Sequence, residues 1–410
     1  MKTILLLAFF LTAILNSYSQ TSDDYFKEAG KKFDQHDYAG AVEYYNKGIA
    51  LDSTHANSFL NRGNARLITK DYNGAINDFT KVLELDPKRK IAYLHIGEAK
   101  FYLKDFAGAI DALNQTGDVG AWNVTVYDLR SRAKSQVKDH TGAIEDYSKL
   151  IAIIPKQNVW YVYQNRGTER LNINDINGAI DDFTNAIESD PKAISYISRG
   201  RAKMVKPDIK GAQEDFNKAI ELDPKSSEAY YYRGRVKEST NDAEAALEDY
   251  NRAIALDPAN SDAYNAKGGL KMMRPTANIS SGNQEAINNF NKSIEIDPKN
   301  ETAYLNRGFA RLNQKDYTGA LEDAAKVIEL KPNDDSGYYL RAKVEFQLKN
   351  YSGAIADATK SIELNPDELL AYFIRGRAEK ELGQNDKAQI DFNRGQELWN
   401  KNTKPMPQQK

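Results

Sequence analysis

Small, aromatic and polar positions recur along the chain with a period of about 34 residues, which is typical of a repeat architecture. Residues 56–89 show the pattern, with an aromatic residue at the fourth position (Phe59), small residues at the eighth (Gly63) and twentieth (Ala75), a second aromatic (Phe79) and a late proline (Pro87). Positions 4, 8 and 11–12 share one face of a helix, and positions 20, 24 and 27–28 share one face of another. The pattern therefore predicts pairs of amphipathic helices.

Turn and stop signals separate the two predicted helices. Residues 71–74 read Asp-Tyr-Asn-Gly, which is typical of a turn whose aspartate caps the next helix. Asp86-Pro87 is a typical helix stop. One such hairpin cannot bury its own apolar face, so the hairpins must stack on each other.

About eleven repeats can be traced, and they predict an all-α solenoid over residues 20–402. The small residue at position 8 and the alanine at position 20 lie twelve residues apart in every unit except the eighth. The predicted units are 22–55, 56–89, 90–123, 124–159, 160–192, 193–226, 227–260, 261–300, 301–334, 335–368 and 369–402. Residues 403–410, which contain two prolines and no apolar period, are predicted to be a disordered tail.

Three places depart from the regular pattern. The third unit lacks its Asp-Pro stop and contains Gly117 and Gly120, which predicts a short second helix ending near Gln115. The eighth unit carries six extra residues within Met273–Asn283, which predict a loop between its helices. The last unit has polar residues on its predicted outward face, which could serve as a cap: Gln389, Asn393, Arg394 and Gln396.

The chain begins with a segment, residues 1–19, that reads as a secretory signal peptide. Lys2 is followed by the apolar run Ile4–Leu15 and then by small residues at Ser17 and Ser19. A membrane anchor is the alternative, but a run of about 12 apolar residues is shorter than the roughly 20 that a spanning helix needs. We expect an exported protein, periplasmic or extracellular, with no transmembrane segment after cleavage.

Composition narrows the classes of function. The formal net charge of −2 gives no electrostatic reason to expect nucleic-acid binding. Cysteine is absent, and the four histidines have no metal-ligand spacing, so we expect no metal and no cofactor. No nucleotide-binding loop or catalytic constellation is evident, and we expect no enzymatic activity.

Arginine at position 7 and aspartate at position 23 are present together or absent together in the units. The co-occurrence predicts a structural ion pair between the two helices of a hairpin, since breaking one partner of a buried pair is costly. We expect Arg233→Ala to lower the melting temperature by several degrees. The predicted pairs are Arg62/Asp78, Arg130/Asp146, Arg166/Asp182, Arg199/Asp215, Arg233/Asp249, Arg307/Asp323, Arg341/Asp357 and Arg375/Asp391.

The repeat resembles the tetratricopeptide repeat (TPR) family, whose cue is W-x2-L-G-x2-Y…A-x3-F…P with a period of 34. Two departures are systematic: position 4 is Tyr or Phe and never Trp, and positions 7 and 11 are mostly basic. The resemblance implies a right-handed superhelical solenoid of stacked helix-turn-helix hairpins, whose first helices line a concave groove. Positions 2, 5, 6, 9, 12 and 13 of each unit face a bound peptide in that family.

Those positions carry basic, aromatic and asparagine residues in this chain, which suits a binding groove. The alternative interpretation is a solvated face whose charges are balanced by neighbouring acidic residues. The groove residues expected to bind a partner are Asn61, Asn64, Arg132, Asn165, Arg201, Tyr231, Arg235, Asn306, Tyr339, Lys343 and Arg377. We expect a protein-interaction scaffold or adaptor in the cell envelope that binds an extended or acidic polypeptide. The alternatives are a self-assembling envelope protein, homo-oligomeric through its solenoid ends, and a protein that binds surface polysaccharide.

Overall fold

Helices account for all the regular structure in the described part of the chain. The computed structural model describes residues 20–117, 119–155, 159–273 and 279–403. The predicted signal peptide 1–19 and residues 404–410 of the predicted tail lie outside this part. Within it the chain forms 22 α-helices and one three-residue 3-10 helix, so the all-α prediction is confirmed.

The helices fall into two units, Met1–Lys206 and Pro207–Lys410. In the first unit they are α1 (Ser22–Asp34), α2 (Tyr38–Leu51), α3 (Ala56–Ile68), α4 (Tyr72–Leu85), α5 (Ile91–Tyr102), α6 (Phe106–Gln115), the 3-10 helix (Gly120–Trp122), α7 (Asn123–Gln136), α8 (His140–Ile153), α9 (Trp160–Asn172), α10 (Ile176–Ser189) and α11 (Ala193–Val205). In the second unit they are α12 (Ile209–Leu222), α13 (Ser227–Ser239), α14 (Ala243–Leu256), α15 (Ser261–Met273), α16 (Ile279–Ile296), α17 (Glu301–Asn313), α18 (Tyr317–Leu330), α19 (Ser336–Gln347), α20 (Tyr351–Leu364), α21 (Leu369–Glu381) and α22 (Asn385–Thr403).

Within each unit, helices pack as antiparallel hairpins that stack in chain order. In the second hairpin α3 packs against α4, and α4 also packs against α5, the first helix of the third hairpin. The small residues set the close approach of the helices: a methyl group added to Gly63 would lie 2.6 Å from Cε1 of the buried Phe79 ring. The aromatic ring of one helix therefore rests directly on the backbone of the other.

The predicted N-cap is present at the start of α4. The Asp71 carboxylate Oδ1 accepts a hydrogen bond from the Gly74 backbone N–H at 3.0 Å, and Asp139 does the same for Gly142 at the start of α8. A Cβ on Gly74 would lie 2.1 Å from Asp71 Oδ2, and the equivalent cap that uses alanine, from Ala245 N–H to Asp242 Oδ1, is longer at 3.3 Å, so glycine allows the closer cap. The cap satisfies one of the free N–H groups at the helix start.

The residue before the cap has a left-handed backbone. It is lysine in three successive hairpins, Lys70 (φ 65°), Lys104 (φ 63°) and Lys138 (φ 63°), but Gly383 (φ 76°) in the last one. A left-handed backbone costs a residue that carries a Cβ about 1 kcal/mol relative to glycine. The fold accepts glycine at this turn, so the lysines are not needed to form it.

The three predicted irregularities have different outcomes. Helix α6 ends at Gln115, which confirms the short second helix of the third unit. The expected loop within Met273–Asn283 is wrong for residues 279–283, which belong to α16, and its residues 274–278 lie outside the described part of the chain. Adding one hydrogen bond per residue to an existing helix costs less than starting a new element, which favours this extension. On α22 the four predicted outward residues are all exposed.

A buried ion pair joins the two helices of a regular hairpin. Arg166 donates from Nε and Nη2 to the two carboxylate oxygens of Asp182 at 2.9 and 2.6 Å, and Asp182 is fully buried. Arg199 and Asp215 lie in different units, so that pair stays a prediction. Pairs in direct contact are Arg62–Asp78, Arg130–Asp146, Arg166–Asp182, Arg233–Asp249, Arg307–Asp323, Arg341–Asp357 and Arg375–Asp391.

A second cation, four residues after the arginine, shares the aspartate in five of these hairpins. Lys237 Nζ, for example, lies 2.8 Å from the Asp249 carboxylate. The same contact is made by Arg66, Lys134, Arg170 and Arg311. The last two hairpins carry Glu345 and Glu379 at this position instead. Their aspartates therefore depend on a single arginine.

Glu379 is the more buried of these two glutamates. Its side chain is in α21, only 6% of the residue is exposed, and its Oε2 has no hydrogen-bond partner among the described residues. Burial, followed by the negative charge of Asp391, raises the pKa of Glu379, whereas Arg375 and Lys387 act in the opposite direction. The folded protein therefore favours the protonated carboxyl more than an unfolded chain does.

This raised pKa predicts that Glu379→Gln stabilises the protein at alkaline pH. The stability that the protonated carboxyl gives is complete below its ordinary pKa of 4.5 and is lost as pH rises through the higher folded value. Unfolding of both proteins should be measured at pH 4 and pH 8. We expect equal stability at pH 4 and a variant about 1 kcal/mol more stable at pH 8. Exposed Glu381→Gln is the control, and an equal gain in that variant would contradict the assignment.

Candidate binding face

The first helices of neighbouring hairpins contact each other as well as their own partners. In the first unit α3 contacts α5, α5 contacts α7 and α9 contacts α11, and in the second unit α13, α15, α17, α19 and α21 contact in succession. The first helices therefore share one side of each unit, which we call the first-helix face. The side chains at positions 5, 6, 9, 12 and 13 are its candidate functional residues.

A pocket of about 310 Å³ lies on this face in the first unit. Two of the predicted partner-binding residues, Arg132 on α7 and Asn165 on α9, both line it. The complete lining is Phe101, Arg132, Ser135, Gln136, Tyr147, Asn165, Thr168 and Glu169. Its walls thus come from three successive first helices and from Tyr147 of one second helix.

Arg132 is held in a fixed orientation at the pocket wall. Its guanidinium lies 4.8 Å from the centre of the Phe101 ring of the preceding hairpin, and Nη1 donates to Asp128 Oδ2 at 3.1 Å. The side chain remains 46% exposed. A stacked guanidinium keeps its in-plane N–H groups available to a carboxylate, and the partly exposed Asp128 neutralises only one side of it.

Glu169 gives the opposite wall a buried negative charge. The residue is 7% exposed, and its Oε2 lies 2.6 Å from His140 Nδ1 of the preceding hairpin. Reasoning from the sequence missed both Glu169 and Phe101. A signal was present for Glu169, since the same position holds alanine in units two to four and in unit six: Ala65, Ala99, Ala133 and Ala202. The pocket therefore presents charges of both signs and suits a ligand that combines an acid with amide groups.

In the second unit, two predicted cations also lie against aromatic rings. Lys343 Nζ is 5.3 Å from the centre of the Phe309 ring and 5.9 Å from that of Tyr339, and Arg377 lies 4.6 Å from that of Phe346. Burial lowers the pKa of Lys343 and raises the pKa of Tyr339 to about 12. The first-helix face of this unit thus repeats the combination of a cation and an aromatic ring.

Tyr231 is not the exposed contact that its position predicts. Only 8% of it is exposed, within a core cluster that includes Tyr250 and Leu270, and its expected contact with a partner stays a prediction. The physical reason is that its ring fills space between hairpins, while its hydroxyl accepts a hydrogen bond from Arg235 Nη1 at 3.1 Å. Tyr231 orients Arg235, whose side chain is 47% exposed.

The remaining predicted residues are spread over the two units and are not gathered around the pocket. Asn61 and Arg201 are exposed, whereas Asn64 and Asn306 are half-buried. Asn64 Oδ1 is buried without a hydrogen-bond partner among the described residues. Asn306 Nδ2 donates to Asn265 Oδ1 at 3.0 Å, which links two neighbouring first helices. Asn306 therefore has a structural contact of its own.

Family profiles match several separate stretches of the chain. A profile described as TPR repeat matches residues 282–315, and profiles described as tetratricopeptide repeat match residues 197–261, 56–89, 301–334 and 336–368. No curated protein matches the sequence.

Solved structures with a similar arrangement of helices share little sequence with this chain. Yeast Tom70 is 18% identical over 92% of both chains, with a TM-score of 0.41. A tetratricopeptide repeat protein from Parabacteroides merdae is 18% identical over 58% of this chain and 93% of its own, with a TM-score of 0.45. The structure of the APC/C hetero-tetramer Cut9-Hcn1 is 13% identical over 94% of this chain and 95% of that one, with a TM-score of 0.45.

Proposed function

Because the chain is a tetratricopeptide repeat protein, we propose that it is a non-enzymatic scaffold of the cell envelope that binds an extended, acidic polypeptide on its first-helix face. Proteins of this family generally serve as scaffolds for protein–protein interaction and are typically not enzymes. The partner chemistry and the envelope location are our own proposals for this chain.

The pocket beside Arg132 and Asn165 carries the proposal. It lies at the positions that the family uses for peptides, and it is walled by three successive first helices. A ligand that follows the face from hairpin to hairpin must itself be extended. The Asn165 amide can both donate to and accept from a peptide backbone, which suits a chain without internal hydrogen bonds.

The preference for an acidic partner rests on the cations that aromatic rings hold in place. Arg132, Lys343 and Arg377 each lie against a ring, so they lose little further side-chain freedom when a carboxylate binds. Unlike a solvated surface charge, such a cation is already oriented before binding. The solvated-face interpretation does not account for three cations that share this arrangement.

The envelope location rests on the sequence of positions 1–19, which has the charged, apolar and small-residue regions of a signal peptide. None of the helices in the described part of the chain is both long and apolar enough to cross a membrane. The polar outward residues on α22 favour a capped terminus over end-to-end assembly, which leaves self-assembly as the second candidate.

The test is capture of a partner from native envelope extract by residues 20–410. We expect Arg132→Glu/Arg201→Glu, in the first unit, and Lys343→Glu/Arg377→Glu, in the second, each to reduce capture by about ten-fold or more, since each reverses two charges on the binding face. The matched control is Lys81→Glu/Lys360→Glu, which reverses one exposed second-helix lysine in each unit.

Each outcome of the capture experiment has a distinct meaning. If one variant of the first-helix face loses capture and the control does not, the partner binds the unit that carries that variant. Equal capture by all the variants overturns the first-helix face as the binding site. If nothing is captured and the protein alone scatters light as an oligomer, the self-assembly alternative replaces the scaffold. A pull-down with surface polysaccharide tests the remaining alternative.

A further inference from the structure

Four successive turns between first and second helices in the first unit, those of the second to fifth hairpins, carry exposed aliphatic residues. We call residues 68–70, 102–104, 137–138 and 173–174 the turn edge. One aliphatic side chain stands at each turn, and each is between 41% and 48% exposed: Ile68, Leu103, Val137 and Ile173. Single exposed aliphatic residues are ordinary, but Leu103, Val137 and Ile173 occupy the same place in three successive hairpins. Ile68 stands one residue earlier in the hairpin before them, so the four form a row.

Contacts between neighbouring hairpins bring these turns side by side. The rings of Tyr72 and Tyr102 stack with their centres 5.4 Å apart, which joins the second hairpin to the third at the turn edge. His140 and Glu169 join the fourth hairpin to the fifth in the same region. Packed helices lie about 8–10 Å apart, so successive turns follow each other at roughly that spacing.

A lysine lies close behind the aliphatic residue at three of the four turns: it follows Leu103 and Val137 directly, and it follows Ile68 after Thr69. Lys70, Lys104 and Lys138 are exposed, and within residues 20–117, 119–155 and 159–273 they form no ion pair. All three occupy the left-handed backbone conformation that Gly383 adopts more easily at the equivalent turn. Because the turn does not require lysine, the presence of a positive charge at this position needs a reason other than turn formation.

Neighbouring carboxylates do not neutralise these lysines. The aspartate that follows each lysine caps the second helix, and two of these aspartates also have cations of their own. Asp71 pairs with Arg66 at 3.4 Å, and Asp105 pairs with Lys100 at 3.6 Å. Asp139 has its cap hydrogen bond from Gly142, while the buried Asp146 is shared by Arg130 and Lys134. Each of the three turns therefore carries one positive charge in excess.

We propose that the turn edge of the first unit docks on an anionic lipid surface. Exposed aliphatic side chains enter the boundary between headgroups and acyl chains, and the adjacent lysines remain at the level of the headgroups. Each lysine beside an anionic membrane strengthens binding by about five-fold, so three in a row give about a hundred-fold. This surface is separate from the first-helix face, and the inference does not depend on the partner proposed for that face.

A lipid surface fits these observations better than an acidic protein does. The aliphatic and cationic residues lie at the tips of successive turns, and a planar surface can touch such a row of tips at once. The equivalent turns of the second unit differ among themselves: Leu348-Lys349 repeats the combination, whereas Thr240-Asn241 and Gln314-Lys315 are polar pairs. The combination of aliphatic residue and lysine is therefore not a general requirement of the turn.

The experiment is co-sedimentation of the full chain with phosphatidylcholine vesicles that contain one third phosphatidylglycerol, in low salt. We expect Lys70→Gln/Lys104→Gln/Lys138→Gln to bind about a hundred-fold more weakly than the parent. The matched control, Lys225→Gln/Lys299→Gln/Lys315→Gln, removes three exposed lysines from the second unit. Its affinity for the vesicles should stay within about two-fold of that of the parent. Leu103→Gln/Val137→Thr tests the aliphatic contribution and should weaken binding by about ten-fold.

Comparison among these variants in the same chain cancels any affinity of the predicted signal peptide for lipid. Equal losses in the two lysine variants would overturn the proposal, as would equal binding of the parent to vesicles of pure phosphatidylcholine. Binding to soluble polyglutamate without sedimentation on anionic vesicles would assign the edge to an acidic protein instead. All variants change exposed side chains, and unchanged helical circular dichroism would establish that each is folded.

Discussion

Arg233→Ala should lower the free energy of unfolding by about 3 kcal/mol, near the lower end of the range for breaking a buried ion pair. Arg233 donates from Nε and Nη2 to both oxygens of Asp249 at 2.8 and 2.7 Å, and Asp249 is buried. Its removal leaves the aspartate with Lys237 alone, because that ammonium remains 2.8 Å away. Chemical denaturation followed by far-ultraviolet circular dichroism measures the loss.

Two further variants separate the ion pair from the loss of an arginine. Arg252→Ala removes an exposed arginine from the second helix of the same hairpin and should change stability by less than about 0.5 kcal/mol. Arg233→Met/Asp249→Leu removes both charges and should be less destabilising than the single change, since no buried charge remains unpaired. An Arg233→Ala protein as stable as the parent would refute a structural role for the pair. Hydrogen exchange should place the loss in this hairpin, because repeat proteins unfold by neighbouring segments.

Phe183→Ala should cost about 4 kcal/mol, as expected for removal of a fully buried phenylalanine. The ring lies against the backbone of Gly167, where an added Cβ would be 2.7 Å from its Cε1 atom. Loss of the ring therefore opens a cavity between α9 and α10 that the rigid helices cannot close. Thermal and chemical unfolding measure the effect, and Phe183→Leu should cost less than half as much because it leaves a smaller cavity.

A reciprocal substitution tests whether this ring and this glycine form one packing unit. Gly167→Leu alone should destabilise the protein, since its side chain would overlap the Phe183 ring. In Gly167→Leu/Phe183→Ala the leucine can occupy the space that the ring has left. We expect the double variant to lose less unfolding free energy than the two single variants lose together. Strict additivity would show that the two positions do not share the space between the helices.

Both predictions bear on the binding face. Helix α9 carries Asn165 and Glu169 of the pocket, so a loosened contact between α9 and α10 should also disturb that site. The ion pairs and the glycine–aromatic contacts lie between the two helices of a hairpin. Residues on the first-helix face and at the turn edge can therefore differ from repeat to repeat while the hairpin keeps its structure.

The period of small and aromatic residues determined the helix pairs, because it fixes which positions of each helix face the other. The turn residues determined the caps in the same way: the Asp71–Gly74 hydrogen bond follows from local geometry and involves residues three apart. The contacts between arginine and aspartate could also be inferred, because their joint presence or absence in the units reflects a shared burial cost. Local signals and repetition were sufficient for these features.

Contacts between neighbouring hairpins were decided only by the tertiary structure. The placement of Arg132 on Phe101, the burial of Tyr231 and the pocket beside Glu169 all depend on how one hairpin is offset and rotated against the next. A repeat period gives the position of a residue within its own helix, but it does not give that offset. The helical start of α16 at Ile279 likewise depended on the cost of extending an existing helix, and the insertion alone did not reveal it.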